Sequence, residues 1–105
     1  MEQPNLDYIL KLSGDDEAIQ LKLISILQYE LPLEIDAYFA CMHLKKTKQA
    51  ASCVHKLKHK IGILGLEESY YTAEKYEDEL KKNKKNLQKK FENTLTLMQN
   101  FVNEL

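Results

Sequence analysis

His55 and Lys58 stand three residues apart in the run His55-Lys56-Leu57-Lys58-His59-Lys60-Ile61-Gly62, and this pairing sets the first chemical expectation for the chain. At about 100° per residue, Ala50, Val54, Leu57, Ile61 and Leu64 form one apolar helical stripe. His55 then projects to the far, water-facing side. Its helical neighbours there are Ala51, Ser52, Lys58, His59 and Gly62, several of them small, which leaves a shallow bare surface around the imidazole. An isolated exposed histidine is usually only a solvated surface residue. A nitrogen nucleophile beside a fixed cation, with room for a partner, suits phosphoryl chemistry.

The charge distribution strengthens that expectation. Net charge is −1 over 105 residues, yet no Asp or Glu occurs from Ala37 through Leu66, where Lys45, Lys46, Lys48, Lys56, Lys58 and Lys60 lie. A positive patch on a nearly neutral protein would steer an acidic partner. Nucleic acid is a poor candidate. The chain has no arginine for bidentate contacts, and no aromatic residue between Phe39 and Tyr70 to stack on bases. The later run Lys81-Lys82-Asn83-Lys84-Lys85 reads as a solvated connection between helices. No apolar run approaches the roughly 20 residues of a membrane span. The opening Met1-Glu2-Gln3-Pro4-Asn5 has neither the basic nor the apolar region of a secretory signal, so the cytoplasm is the expected location. Cys41 and Cys53 match no zinc or redox motif and are expected as reduced, partly buried thiols.

The elements that must position His55 are all helical. Two prolines and three glycines leave few breaks and no strand-and-turn alternation. A short first helix carries Leu6, Ile9, Leu10 and Leu12 and ends at Ser13-Gly14. Asp15 or Asp16 caps a second helix running to about Leu44, with Ile24, Leu27, Leu31, Ile35, Tyr38 and Met42 inward and a bend expected at Pro32. Its other apolar face, Ile19, Leu23 and Ile26, is expected to lie under the first helix. Thr47 is the expected cap of the His55 helix and Gly65 its terminator. A fourth helix turns Leu66, Tyr70, Ala73 and Leu80 inward. The last, from about Asn86 to Glu104, uses Leu87, Phe91, Leu95, Met98 and Val102. The expected fold is all-α: one domain over residues 1–105, an antiparallel four-helix bundle with a short additional N-terminal helix.

These residues resemble the histidine-containing phosphotransfer (HPt) domain of bacterial phosphorelays. The centre of that family reads roughly His-x-hydrophobic-Lys-Gly, with glycines further along. His55 matches the phospho-acceptor, Leu57 the inward apolar position and Lys58 the lysine that steadies the phosphoryl group. Gly62 and Gly65 fall seven and ten residues after the histidine, and Glu77 twenty-two after it, where the family has Glu or Gln. The opening Leu6-Asp7-Tyr8 and Leu12-Ser13-Gly14-Asp15 is also similar, so the likeness runs from Leu6 to Leu80. One position departs: His59 stands where the family usually has glycine, on the face a partner would approach.

The resemblance implies a phosphorelay carrier without kinase activity. His55 would take a phosphoryl group from a receiver-domain aspartate and pass it to another receiver, with Lys58 supplying charge and Glu77 and Gly62 in support. Mg²⁺ would sit on the receiver, with no cofactor bound by this chain. Partners would be response-regulator receivers and a hybrid sensor histidine kinase, approached by a monomer. Lys48, Ala51, Ser52 and His59, with the off-stripe apolar residues Leu21 and Ile63, form the expected docking surface. Two rival readings compete: a non-catalytic helical adaptor, and a metal site built on His55 and His59, one helical turn apart.

Overall fold

The computed structural model describes residues 2–105, and these are entirely helical and loop, arranged as α1 (Asp7–Ser13), α2 (Glu17–His43), α3 (Thr47–Ile63), α4 (Glu67–Lys81) and α5 (Gln88–Asn103). The molecule measures 45 × 25 × 19 Å, close to the length of α2 at about 1.5 Å per residue. No helix among the described residues is long and apolar enough to cross a membrane.

Long-range side-chain contacts give the helix directions. Cys41 meets Cys53 and Glu34 meets Lys60 across α2 and α3, so these helices run antiparallel. His55 meets Glu77 and Lys58 meets Glu74 across α3 and α4. Tyr38 reaches Glu92, and Gln28 reaches the Val102 carbonyl, across α2 and α5. The Ser69–Thr94 bond and the Glu79 cap on the Leu87 amide join α4 to α5.

Stripes that are apolar on one side behave as expected. Ala50, Val54, Leu57, Ile61 and Leu64 are buried, and so are Phe91, Leu95, Met98 and Val102. At the centre Tyr38, Tyr76 and Phe91 interlock, with ring centroids 5.1–6.3 Å apart. The buried hydroxyls are satisfied: Tyr38 donates to Glu92 at 2.8 Å and shares a 2.7 Å bond with Tyr76. Burial pushes the Tyr76 hydroxyl up to about 12.

Three turns end helices in one way. After α2, α3 and α4, the residues Lys45, Gly65 and Asn83 adopt positive φ, and paired backbone bonds close each turn in a Schellman motif. Gly65, at φ 76°, is confined further, because a Cβ there would sit 2.6 Å from the Asn5 side chain. The N-terminal strap is fastened over this turn. The Asn5 amide donates to the Leu64 carbonyl at 2.9 Å. The Glu2 carboxylate caps α4 by accepting from the Glu68 and Ser69 amides at 2.9 and 2.8 Å. Burial opposes ionisation of Glu2, but the Ser69 side chain and these two amides outweigh it and hold the carboxyl below its usual range.

Two local expectations need correction. Asp16 does cap α2, accepting from the Ala18 and Ile19 amides, and α2 continues past Pro32, but Thr47 is the first helical residue of α3 rather than its cap. Helix α1 covers the second apolar face of α2 only in part: Leu23 is half-buried, whereas Ile19 and Ile26 stay exposed.

Candidate functional site

The site forms where α4 closes over one edge of α3. Its centre is His55, whose side chain is 52% exposed. Among the described residues the ring makes hydrogen bonds on one side only: Nδ1 lies 3.2 Å from both carboxylate oxygens of Glu77. Glu77 is buried. Burial alone would favour its neutral form, but the bond to His55 and the ammonium groups of Lys81 and Lys58 prevail and hold its carboxyl below the ordinary range. An ionised carboxylate only accepts, so Nδ1 must carry the proton of the neutral ring. The Nε2 lone pair is then left bare on the exposed side of the imidazole. This is the tautomer a nitrogen nucleophile needs.

Cations surround Glu77. Lys58 Nζ lies 3.4 Å from one oxygen and Lys81 Nζ 3.3 Å from the other, while Glu74 stands 3.8 Å from Lys58. Lys58 is only 7% exposed, and its ammonium lies 5.7 Å from the centre of the Tyr70 ring. The same ring borders Gly62, where an added Cβ would sit at ordinary contact distance, 3.5 Å. His59 meets His55 edge to face, with ring centroids 5.1 Å apart.

His55, Lys58, Glu77, Gly62 and His59 therefore gather in one place. Ser52 and Lys48 lie exposed on α3 towards its start. Ala51 does not belong to the surface: it is 1% exposed, because the edge of α3 that carries Lys58 and Gly62 is the one α4 covers. Ile63 is half-buried and lines an apolar hollow with Tyr8, Leu12, Leu23 and Ile26, whereas Leu21, 64% exposed, lies outside it. The lysine patch is also weaker than the charge count implied. Lys58 is paired with α4 carboxylates and Lys60 with Glu30 and Glu34 of α2. Among the described residues no three His, Cys, Asp or Glu side chains cluster in a way that could hold a metal ion.

Sequence reasoning missed Tyr70, Glu74 and Lys81 as members of the site. Lys81 carried a usable signal, since it lies four residues after Glu77 on one helix face. Comparison with protein-family models, curated proteins and solved structures gives no match to this chain.

Proposed function

We propose that this chain is an HPt-type phosphorelay carrier, with His55 the phospho-acceptor. The observation that supports it best is the Glu77 carboxylate against His55 Nδ1, which leaves Nε2 as the nucleophile on an exposed ring. The closed cycle of antiparallel neighbours, α2–α3–α4–α5–α2, favours a four-helix bundle with α1 as the additional N-terminal helix.

In the proposed transfer, Nε2 attacks the phosphorus of a receiver's aspartyl phosphate in line. The new N–P bond forms as the P–O bond to the aspartate breaks, and the carboxylate leaves. Positive charge developing on the ring is offset by Glu77 through the Nδ1 proton, and Lys58 lies one turn away to meet the phosphoryl oxygens. Reversal onto the aspartate of a second receiver completes the relay. Mg²⁺ is assigned to the receivers, since the proposed role asks this chain only to present a nucleophile and local charge.

The test is transfer from a panel of radiolabelled phospho-receivers to wild type, His55→Gln and His59→Gly. Acid-labile, base-stable label on wild type and none on His55→Gln is the expected result. A changed partner profile in His59→Gly would make that ring a specificity element. No label from a broad panel on fully helical wild-type protein would overturn the carrier reading in favour of the adaptor.

A further inference from the structure

Cys41 and Cys53 match no redox motif, yet their sulfurs meet across the α2–α3 seam at 4.0 Å. The register behind this contact is held independently. Lys60 lies two turns beyond Cys53 and Glu34 two turns before Cys41, and the Lys60–Glu34 pair closes at 3.0 Å in the same antiparallel register. The turn between the cysteines is ordered as well, because the Cys41 carbonyl accepts the Lys46 amide at 2.9 Å. Both thiols are half-buried and free, so a small reagent can reach them.

We propose that Cys41 and Cys53 are a dithiol that closes reversibly to an intramolecular disulfide by exchange with low-molecular-weight disulfides of the glutathione type. One cysteine thiolate attacks the reagent's sulfur, forming a mixed disulfide and expelling one thiolate. The second cysteine thiolate then displaces the other half, giving the Cys41–Cys53 bond. The two protons lost by the cysteines end on the two released thiols, so the reagent is reduced by two electrons and the pair oxidised by two. The sulfurs must approach from 4.0 Å to about 2 Å. Burial first, and then the neighbouring Cys41, push the Cys53 thiol up. Exchange is therefore slow at neutral pH and accelerates as pH rises. The bond would tie the last turns of α2 to α3 just ahead of His55.

The experiment equilibrates the intact protein in glutathione buffers of graded oxidised-to-reduced ratio, followed by acid quench, thiol alkylation and intact-mass measurement. Lys45, Lys46 and Lys48 lie between the two sulfurs, so lysine-specific cleavage under non-reducing conditions leaves a linked peptide pair only where the disulfide has formed. The expected result is an intramolecular disulfide that forms at a ratio at least tenfold less oxidising than the same chain requires in urea. A rise of roughly 10 °C in melting temperature, reversed by reductant, should accompany it. Cys41→Ser should instead stop at a stable mixed disulfide on Cys53, in a protein whose helicity is unchanged. Glutathione adducts alone on wild type, disulfide-linked dimers, or no advantage of the folded over the urea-unfolded chain would each overturn the proposal.

Discussion

Lys58 and Lys60 sit two residues apart on α3 and serve opposite neighbours. Lys60 faces α2, where Glu30 and Glu34 both approach to 3.0 Å. Burial weakens its charge, but these carboxylates more than compensate and raise its pKa. Lys58 faces α4, and its contacts are longer: 3.4 Å to Glu77 and 3.8 Å to Glu74. Glu77 is also shared with His55 and Lys81. The first cluster ties α3 to α2 through two short contacts to one ammonium, with Glu34 Oε1 left buried and without a partner among the described residues. The second ties α3 to α4 through longer contacts that several groups share. On the proposed reading, the short contacts serve structure and the longer, shared ones belong to the phosphoryl site.

The contrast can be broken most severely at Glu77. Glu77→Gln removes the charge that dictates the His55 tautomer, and transfer to His55 should slow by about tenfold or more in single-turnover labelling. Unchanged transfer would mean that the carboxylate only fills space. Next come the lysines themselves. Lys60→Met leaves two carboxylates facing each other and should cost about 2 kcal/mol in urea unfolding, with transfer intact. Lys58→Met should do the reverse, slowing transfer while costing less stability, because Lys81 and His55 still serve Glu77. Equal stability losses in the two variants would erase the distinction.

Acid titration sharpens the comparison at smaller cost. The folded-state pKa of Glu77 is depressed, so its contribution is fully present above the unfolded carboxylate value of about 4.3 and is lost as pH falls through the lower folded value. Urea midpoints from pH 6 down to about 3 should therefore fall less steeply for Glu77→Gln than for wild type. The smallest effect is expected at Gly62. Gly62→Ala places a methyl in ordinary contact with Tyr70 and should stabilise α3 by about 0.5–1 kcal/mol in thermal unfolding. A loss of stability would show that Tyr70 cannot accommodate the methyl and that the Lys58 side is packed as tightly as the Lys60 side.

What could be read in advance follows from how each helix meets its neighbours. The stripes of α3 and α5 were legible because each presents one apolar side, so period and burial coincide. In α2 apolar residues occur around most of the circumference. Periodicity picked out Leu27, Leu31 and Tyr38, which are buried, but could not tell that Ile19 and Ile26 on the second apolar face stay exposed. Glu77 was legible as an acid on an inward face. Glu74 and the Cys41–Cys53 contact depend on the register between helices, which no single-helix pattern encodes. The lysine patch was overestimated for the same reason, since the carboxylates that pair with Lys58 and Lys60 arrive from other helices.

Gly65 carries a consequence for how this chain tolerates change. Gly14 also has positive φ, but its surroundings are open, so a side chain there would meet only backbone strain. At Gly65 backbone strain and collision with the strap fall on one atom position. Any replacement must hold a strained turn at the end of the His55 helix and also push aside the Asn5 side chain, whose Oδ1 accepts the Asp7 amide. In a saturation library sorted for folded protein, the column at this residue should be nearly empty while that at Gly14 fills partly. One of the least replaceable residues in the molecule would then be one with no side chain to lose.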